Sequence, residues 1–188
     1  GENGAGWARY ADEGFTEGYF HGEPERQRHA ALLERIRLEA ARTMPEIQLA
    51  TDQRARRCDL AFDVGERAQL SDLEINALLE LIERHGARST VSTVHAHAIP
   101  GDWNKAKGVV RALSEELGVQ LEKERERWVF VGDSGNDADA FAYFPVSVGV
   151  ANVRTQLERL PSPPAFVTEA ERGLGFAELA QQLLSHRD

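Results

Sequence analysis

Between His29 and Arg42, residues Ala30, Leu33, Ile36, Leu38 and Ala41 recur at mostly helical spacing and Pro45 follows, which predicts an amphipathic helix ended before the proline. Cys58–Val64 (CDLAFDV) alternates apolar and polar residues, with Leu60, Phe62 and Val64 on one face and Gly65 next, and predicts a half-buried strand. Ser71 and Glu74 form a capping box, and Leu73, Asn76–Leu79 and Ile82 carry a helix to the stop at Gly86. Arg88–Ile99 is rich in β-branched residues, alternates, and predicts a strand ending at Pro100-Gly101. To about residue 100 the chain reads β, α, β, α, β, an α+β layer with one wet face.

Beyond Pro100-Gly101 the texture changes. Lys105–Leu117 predicts a helix, with Val109, Leu113 and Leu117 four apart and Gly118 as its stop. A charged stretch, Glu122–Arg127, reads as a solvated loop and leads into Trp128-Val129-Phe130-Val131. That run is apolar without alternation, as expected of a parallel strand covered on both faces. Val146–Val150 and Ala165–Val167 predict short strands, separated by a helix over Arg154–Leu160 and followed by a helix over Phe176–Leu184. Strands and helices alternate as in βαβ units, so this half predicts an α/β parallel sheet.

Composition narrows the classes. A chain of 188 residues with 41% apolar and 28% charged residues fits one large or two modest folded domains. Lys and Arg number 22 against 31 Asp and Glu, a formal net charge of −9 that repels polyphosphate backbones and anionic lipid, so no nucleic-acid or membrane partner is expected. Cys58 is the single cysteine, which excludes an internal disulfide and a cysteine metal cage and fits a reducing cytoplasm. The opening GENGAGW has no initiator Met, basic n-region or apolar run, and reads as the middle of something longer.

Two segments carry chemistry. Val131-Gly132-Asp133-Ser134-Gly135-Asn136-Asp137 follows a strand of the parallel sheet, where ligands of open α/β sheets bind. Two carboxylates four apart can present oxygens to one hard cation such as Mg²⁺, and the glycines let backbone approach a phosphate. The plain alternative is an acidic strand-to-helix turn with Asn136 or Asp137 as N-cap. Upstream, Asp102-Trp103-Asn104-Lys105-Ala106-Lys107 places lysine at a helix N-terminus, where the macrodipole repels it unless an anion is near. A solvated lysine is the alternative.

These segments, in this order, resemble the haloacid dehalogenase superfamily of phosphohydrolases, in its IIB branch with a large inserted cap. GDSGND resembles the family's fourth motif and the lysine its third; Gly149–Val153 (GVANV) resembles the strand and turn after motif four, and Glu2-Asn3-Gly4-Ala5 the segment leading into the cap. The resemblance implies a Rossmann-like core over residues 1–11 and 101–188 and an α+β cap of the C2B type over 12–100. It implies Mg²⁺ held by Asp133, with Asp137 ligating it or supporting it, and phosphate bound by Asn136 and a lysine. Helical phase favours Lys105, since Lys107 points about 200° around the helix from it.

The family's attacking Asp-x-Asp strand and its Ser/Thr strand are not found, and Asp59–Asp63, in an alternating half-exposed strand, lacks the following pattern. The expectation is that the core is N-terminally incomplete, with those motifs upstream of Gly1, and that this chain alone forms no aspartyl-phosphate. The implied activity is a Mg²⁺-dependent phosphatase on a small phosphate ester, such as a sugar phosphate or glycosyl-phosphoglycerate. A phosphomutase and a non-catalytic Mg²⁺/phosphate-binding module are the alternatives. In the cap, His95 and His97 share a strand face and either contact a hydroxylated leaving group or form a solvated face. Arg54, Arg56 and Arg57 either meet an anionic substrate group or are solvated. Trp103 either walls the site or packs beneath the cap hinge.

Overall fold

The computed structural model describes residues 1–11 and 14–186 and divides into two compact units, Gly1–Ala112 and Leu113–Asp188. The first unit opens with a 3-10 turn at Glu2–Gly4 and a hairpin of β1 (Gly6–Ala11) and β2 (Gly14–Tyr19). Helix α1 (Glu23–Thr43) follows, then β3 (Leu60–Asp63), α2 (Asp72–Arg84), β4 (Arg88–Val91) and β5 (His95–Ile99). Strands β3, β5 and β4 form an antiparallel sheet in that order, with Phe62 opposite Ala96 and Thr90 opposite His97. Its core joins Leu33, Ile36 and Ala40 of α1, Leu78, Leu81 and Ile82 of α2, and Leu60, Phe62, Ala96 and Ala98 of the sheet.

Several expectations change here. Helix α1 starts six residues before the predicted start at His29, because Pro24 supplies a preset first turn and Glu23 and Glu25 favour the positive helix end. The stretch Arg88–Ile99 is two strands of a hairpin, since Ser92 Oγ accepts the backbone N–H of His95 and turns the chain. Strand β3 is buried at all four positions, where alternation predicted one wet face. Asp59 and Asp63 tolerate this because their carboxylates are paired: Asp63 accepts from the backbone of Glu66 and Arg67 and from the Arg67 guanidinium. The capping box of Ser71 and Glu74 forms as predicted.

Helix α3 (Lys105–Leu117) matches its predicted bounds, and the division between the units falls within it. Its buried positions are Ala106 and Gly108, while Leu117, counted in its apolar row, is 56% exposed. Glu122–Arg127 is not a loop but helical turns, α4 (Leu121–Glu124) and a 3-10 turn at Arg125–Arg127, anchored by buried Leu121.

The second unit holds a parallel sheet of β6 (Val129–Gly132), β7 (Val146–Gly149) and β8 (Phe166–Val167) in that order. Between them lie α5 (Ala138–Tyr143) and a 3-10 helix at Ala151–Arg159, the latter in place of the predicted α-helix, and α6 (Arg172–Ser185) ends the unit. The expected fully covered strand is not β6, which is intermediate throughout, but β7, buried from Ser147 to Gly149. Position explains it: among the described residues β6 has one hydrogen-bonded neighbour and β7 has two. Phe130 stacks on Phe144 and meets Phe141 edge-on, closing one side of the sheet.

Candidate functional site

The loop after β6 is built around one carboxylate. Asp137 is 2% exposed, and its Oδ2 accepts the backbone N–H of Asp133 (2.9 Å) and of Ser134 (3.1 Å). Ser134 caps the following turn, completing a capping box with Asp137, and its hydroxyl also donates to Asn136 Oδ1 (2.9 Å). The turn needs glycine at 132, where a Cβ would fall 2.6 Å from the Asp137 carboxyl carbon. The acidic-turn alternative thus describes the local structure in part: Asp137 is the N-cap position of α5, without a side-chain cap bond, and Ser134 caps the 3-10 turn before it.

This construction leaves Asp133 half-buried at the carboxyl end of β6. Its Oδ2 accepts from Asn152 Nδ2 (3.0 Å), and Asn152 Oδ1 accepts the backbone N–H of Arg172 (3.1 Å) at the start of α6. Asn152 therefore ties the acidic loop to the segment after β7. Sequence reasoning gave it no role, although it lies in the GVANV run.

The donor set can be tested against a hard cation. Mg²⁺ is commonly held by one or two carboxylates, its remaining positions filled by waters and substrate phosphate. Among the described residues no three His, Cys, Asp or Glu side chains converge as a metal cage. Asp133 supplies a half-exposed carboxylate oxygen of the right kind. Asp137 has committed Oδ2 to two backbone amides and suits support of the loop better than ligation. The residues present fit a cation of this class with Asp133 as its protein ligand.

In the first unit, the opening turn fixes the head of α3, where Lys105 sits. Glu2, Asn3 and Gly4 all take positive φ (49°, 56° and 99°), a strained run that surrounding contacts must hold in place. Glu2 Oε2 accepts the backbone N–H of Arg57 (2.9 Å), Cys58 and Asp59 (3.1 Å), and Asn3 Nδ2 donates to Asp59 Oδ2 (3.0 Å). Gly4 presses on Asn104 and Gly108, and a Cβ at Gly108 would lie 2.4 Å from Gly4 Cα. Lys107 is exposed and its Nζ donates to the carbonyl of Asp102 (2.7 Å), whereas Lys105 is half-buried.

The residues singled out by sequence between Arg54 and Trp103 are brought together only in part. His97 is 4% exposed, and its Nδ1 donates to Asp59 Oδ2 (3.1 Å). His95 is half-buried, its Nε2 3.1 Å from Glu66 Oε2, and the two imidazole rings meet edge-on at 5.8 Å. They share a face, but it is not a solvated one, because each ring has a carboxylate to satisfy it. Burial works against the Asp59 charge, yet the His97 hydrogen bond and the Arg56 guanidinium outweigh it and hold the carboxyl below its usual range. The three arginines diverge: Arg56 is inward on Asp52 and Asp59, Arg57 bonds the Tyr19 hydroxyl (2.9 Å) and pairs with Glu17, and Arg54 is exposed. Trp103 is 2% exposed and packs with Ala5, Cys58 and Ile99.

No protein-family model matches the chain, and no curated protein matches it. Solved structures do. The chain is similar to Thermoplasma acidophilum 0175 at 19% identity and a TM-score of 0.65, over 97% of this chain and 70% of that one. It is similar to the sucrose-phosphatase of Synechocystis, solved with sucrose and phosphate, at 16% identity and 0.61, over 93% and 70%. A trehalose-6-phosphate phosphatase related protein follows at 13% and 0.53, over 90% and 66%. No helix among the described residues is long and apolar enough to cross a membrane. The chain therefore shares the fold of these solved structures, a mixed α/β architecture with a parallel sheet, as the α/β reading of the sequence led one to expect.

Proposed function

We propose that the protein is a Mg²⁺-dependent phosphoric monoester hydrolase acting on a small phosphorylated metabolite, a sugar phosphate or glycosyl-phosphoglycerate. The observation that carries this reading is the GDSGND loop, in which Asp137 braces the backbone so that Asp133 stands half-exposed at the end of β6. The similarity to a sucrose-phosphatase structure supports the substrate class. Residues 12–100 serve as the cap in this reading, 1–11 and 101–188 as core, and cytoplasmic placement fits the single cysteine.

In this mechanism Asp133 holds the cation, oriented by Asn152. When bound, Mg²⁺ neutralises charge developing on the transferring phosphoryl group. Asn136 would donate to a phosphate oxygen, and Lys105, at the head of α3, is the lysine assigned to the phosphate. Asp137 keeps the loop amides in register, and of the two histidines only half-buried His95 is left to contact a leaving group, His97 being buried against Asp59. No residue among these 188 is assigned as the nucleophile; they supply the electrostatic part of the site.

The test is a phosphate-ester panel assayed with the full gene product. Phosphate release should require Mg²⁺, stop on chelation, and fall about a hundredfold or more in Asp133→Ala. Undiminished release in that variant overturns the reading. Isomerised product without free phosphate would mean a phosphomutase, and Mg²⁺ binding without turnover a binding module.

A further inference from the structure

The first unit contains a small pocket that none of the phosphoryl chemistry above uses. His21, Arg26, His29, Arg57 and Trp103 line it, with Ala5 and Cys58 completing the wall, and among the described residues no Asp or Glu side chain does. Its interior has room for about one water-sized group. Two of its lining side chains carry buried hydrogen-bond donors with no acceptor, Trp103 Nε1 and Arg26 Nε. A buried unsatisfied N–H costs about 1–3 kcal/mol, so an acceptor that meets these two donors would be favoured here.

The surroundings indicate what kind of oxygen. The guanidinium of Arg26 lies over the Tyr19 ring at 4.0 Å, which holds its plane in place, and its terminal nitrogen is taken by Glu23. The imidazoles of His21 and His29 stand 5.3 Å apart and each meets the Trp103 indole, at 5.6 and 5.5 Å. Their carboxylate partners, Asp102 and Glu25, and the Glu17 beside Arg57 lie outside the lining and are partly or largely solvated, so water screens them. The two unpartnered polar groups of the lining, Trp103 Nε1 and Arg26 Nε, are both donors. The Arg57 side chain is 63% exposed, placed to cover the outer part of a ligand.

We propose that this pocket is an oxyanion-binding site, taking one oxygen of a carboxylate or phosphoryl group against Trp103 Nε1 and Arg26 Nε, with Arg57 closing over the remaining oxygens. Charge-assisted donors of this kind prefer an ionised acceptor over water.

The site is read by the Trp103 indole N–H resonance, one of three tryptophan signals in the chain, assigned by its loss in Trp103→Phe. Inorganic phosphate, sulfate and acetate are titrated separately into the full chain with a chelator present and chloride holding ionic strength. The expected result is a saturable shift of that resonance with a Kd of about 1 mM or tighter, weakened about tenfold in Arg57→Gln, an exposed position where folding is not at stake. Acetate alone would identify a carboxylate site, and phosphate and sulfate alone a phosphoryl site. No saturable shift with any of the three means that water alone fills the pocket and overturns the proposal, and a shift unchanged in Arg57→Gln overturns the part given to Arg57. Because the readout needs neither Mg²⁺ nor turnover, it stands apart from the hydrolase assay.

Discussion

Asp137 Oδ2 lies 2.9 Å from the backbone nitrogen of Asp133, so the second carboxylate of the GDSGND loop holds the chain of the first in position. Both oxygens of such a pair need not face a metal for both residues to matter. Asp137→Ala would leave the Asp133 and Ser134 amides without their acceptor, at about 1–3 kcal/mol of stability. Gly132→Ala attacks the same contact from the other side by pushing a methyl group into the Asp137 carboxyl, an overpacking also worth about 1–3 kcal/mol. Chemical denaturation measures both. The two losses should be less than additive in the double variant, because each removes the same contact.

Asn152 makes two bonds with one amide, donating to Asp133 and accepting from Arg172. Asn152→Ala should therefore cost only about 0.5–1.5 kcal/mol in stability while freeing the Asp133 carboxylate to rotate. Mg²⁺ affinity, measured by titration calorimetry, should fall by about tenfold, as expected for loss of a group that orients a metal ligand. Asn152→Asp keeps the shape but sets a second negative charge beside Asp133 and removes the donor. Metal affinity that is unchanged in Asn152→Ala would show that Asp133 needs no such support.

The fold was legible where local chemistry dominates. The capping box at Ser71, the glycine stop of α3 and the acidic loop all follow from residues within a few positions of one another. What the chain could not show alone was burial set by partners far away in sequence. Asp59 reads as the polar side of an alternating strand, yet Arg56, His97 and Asn3 converge on it and make it part of the interior. Val129–Gly132 reads as a covered strand, but its exposure depends on how many strands pair with it, which no apolar run encodes. The site was half legible by the same rule: Asp133 and Asn136 share a short motif, while Asn152 is joined to them only by folding.

The buried Asp59 carboxylate makes stability pH-dependent in a defined sense. Its folded pKa is depressed, so the unfolded chain binds the proton more readily and the group contributes stability above the unfolded value, about 3.9. That contribution disappears as pH falls through the lower folded value. Arg56→Ala removes the cation from a fully buried partner and should cost about 3–5 kcal/mol at neutral pH. The difference from the parent protein should begin to shrink below about pH 4, where the unfolded chain takes up the proton, and go on shrinking as pH falls through the lower folded value of Asp59. Denaturation curves at neutral and acid pH check this, and a difference that does not change with pH would mean that Arg56 acts by packing alone.

Cys58 offers a probe of the strained opening turn. The thiol is 5% exposed, and burial, aided by the negative charge of Glu2, pushes its pKa up to about 12, so the native protein should react very slowly with a thiol reagent near pH 8 and fully once denatured. Glu2 also accepts the Cys58 backbone N–H, so Glu2→Gln has two ways of raising the rate. Loss of the charge lowers the thiol pKa, which changes the pH profile of labelling. Loss of the clamp lets the segment open, which raises the rate at every pH. The three amide contacts and the positive φ values at Glu2 and Asn3 favour the second. Labelling rates measured across pH should rise in parallel with those of the parent protein, and a rise confined to lower pH would show instead that Glu2 acts on Cys58 through its charge.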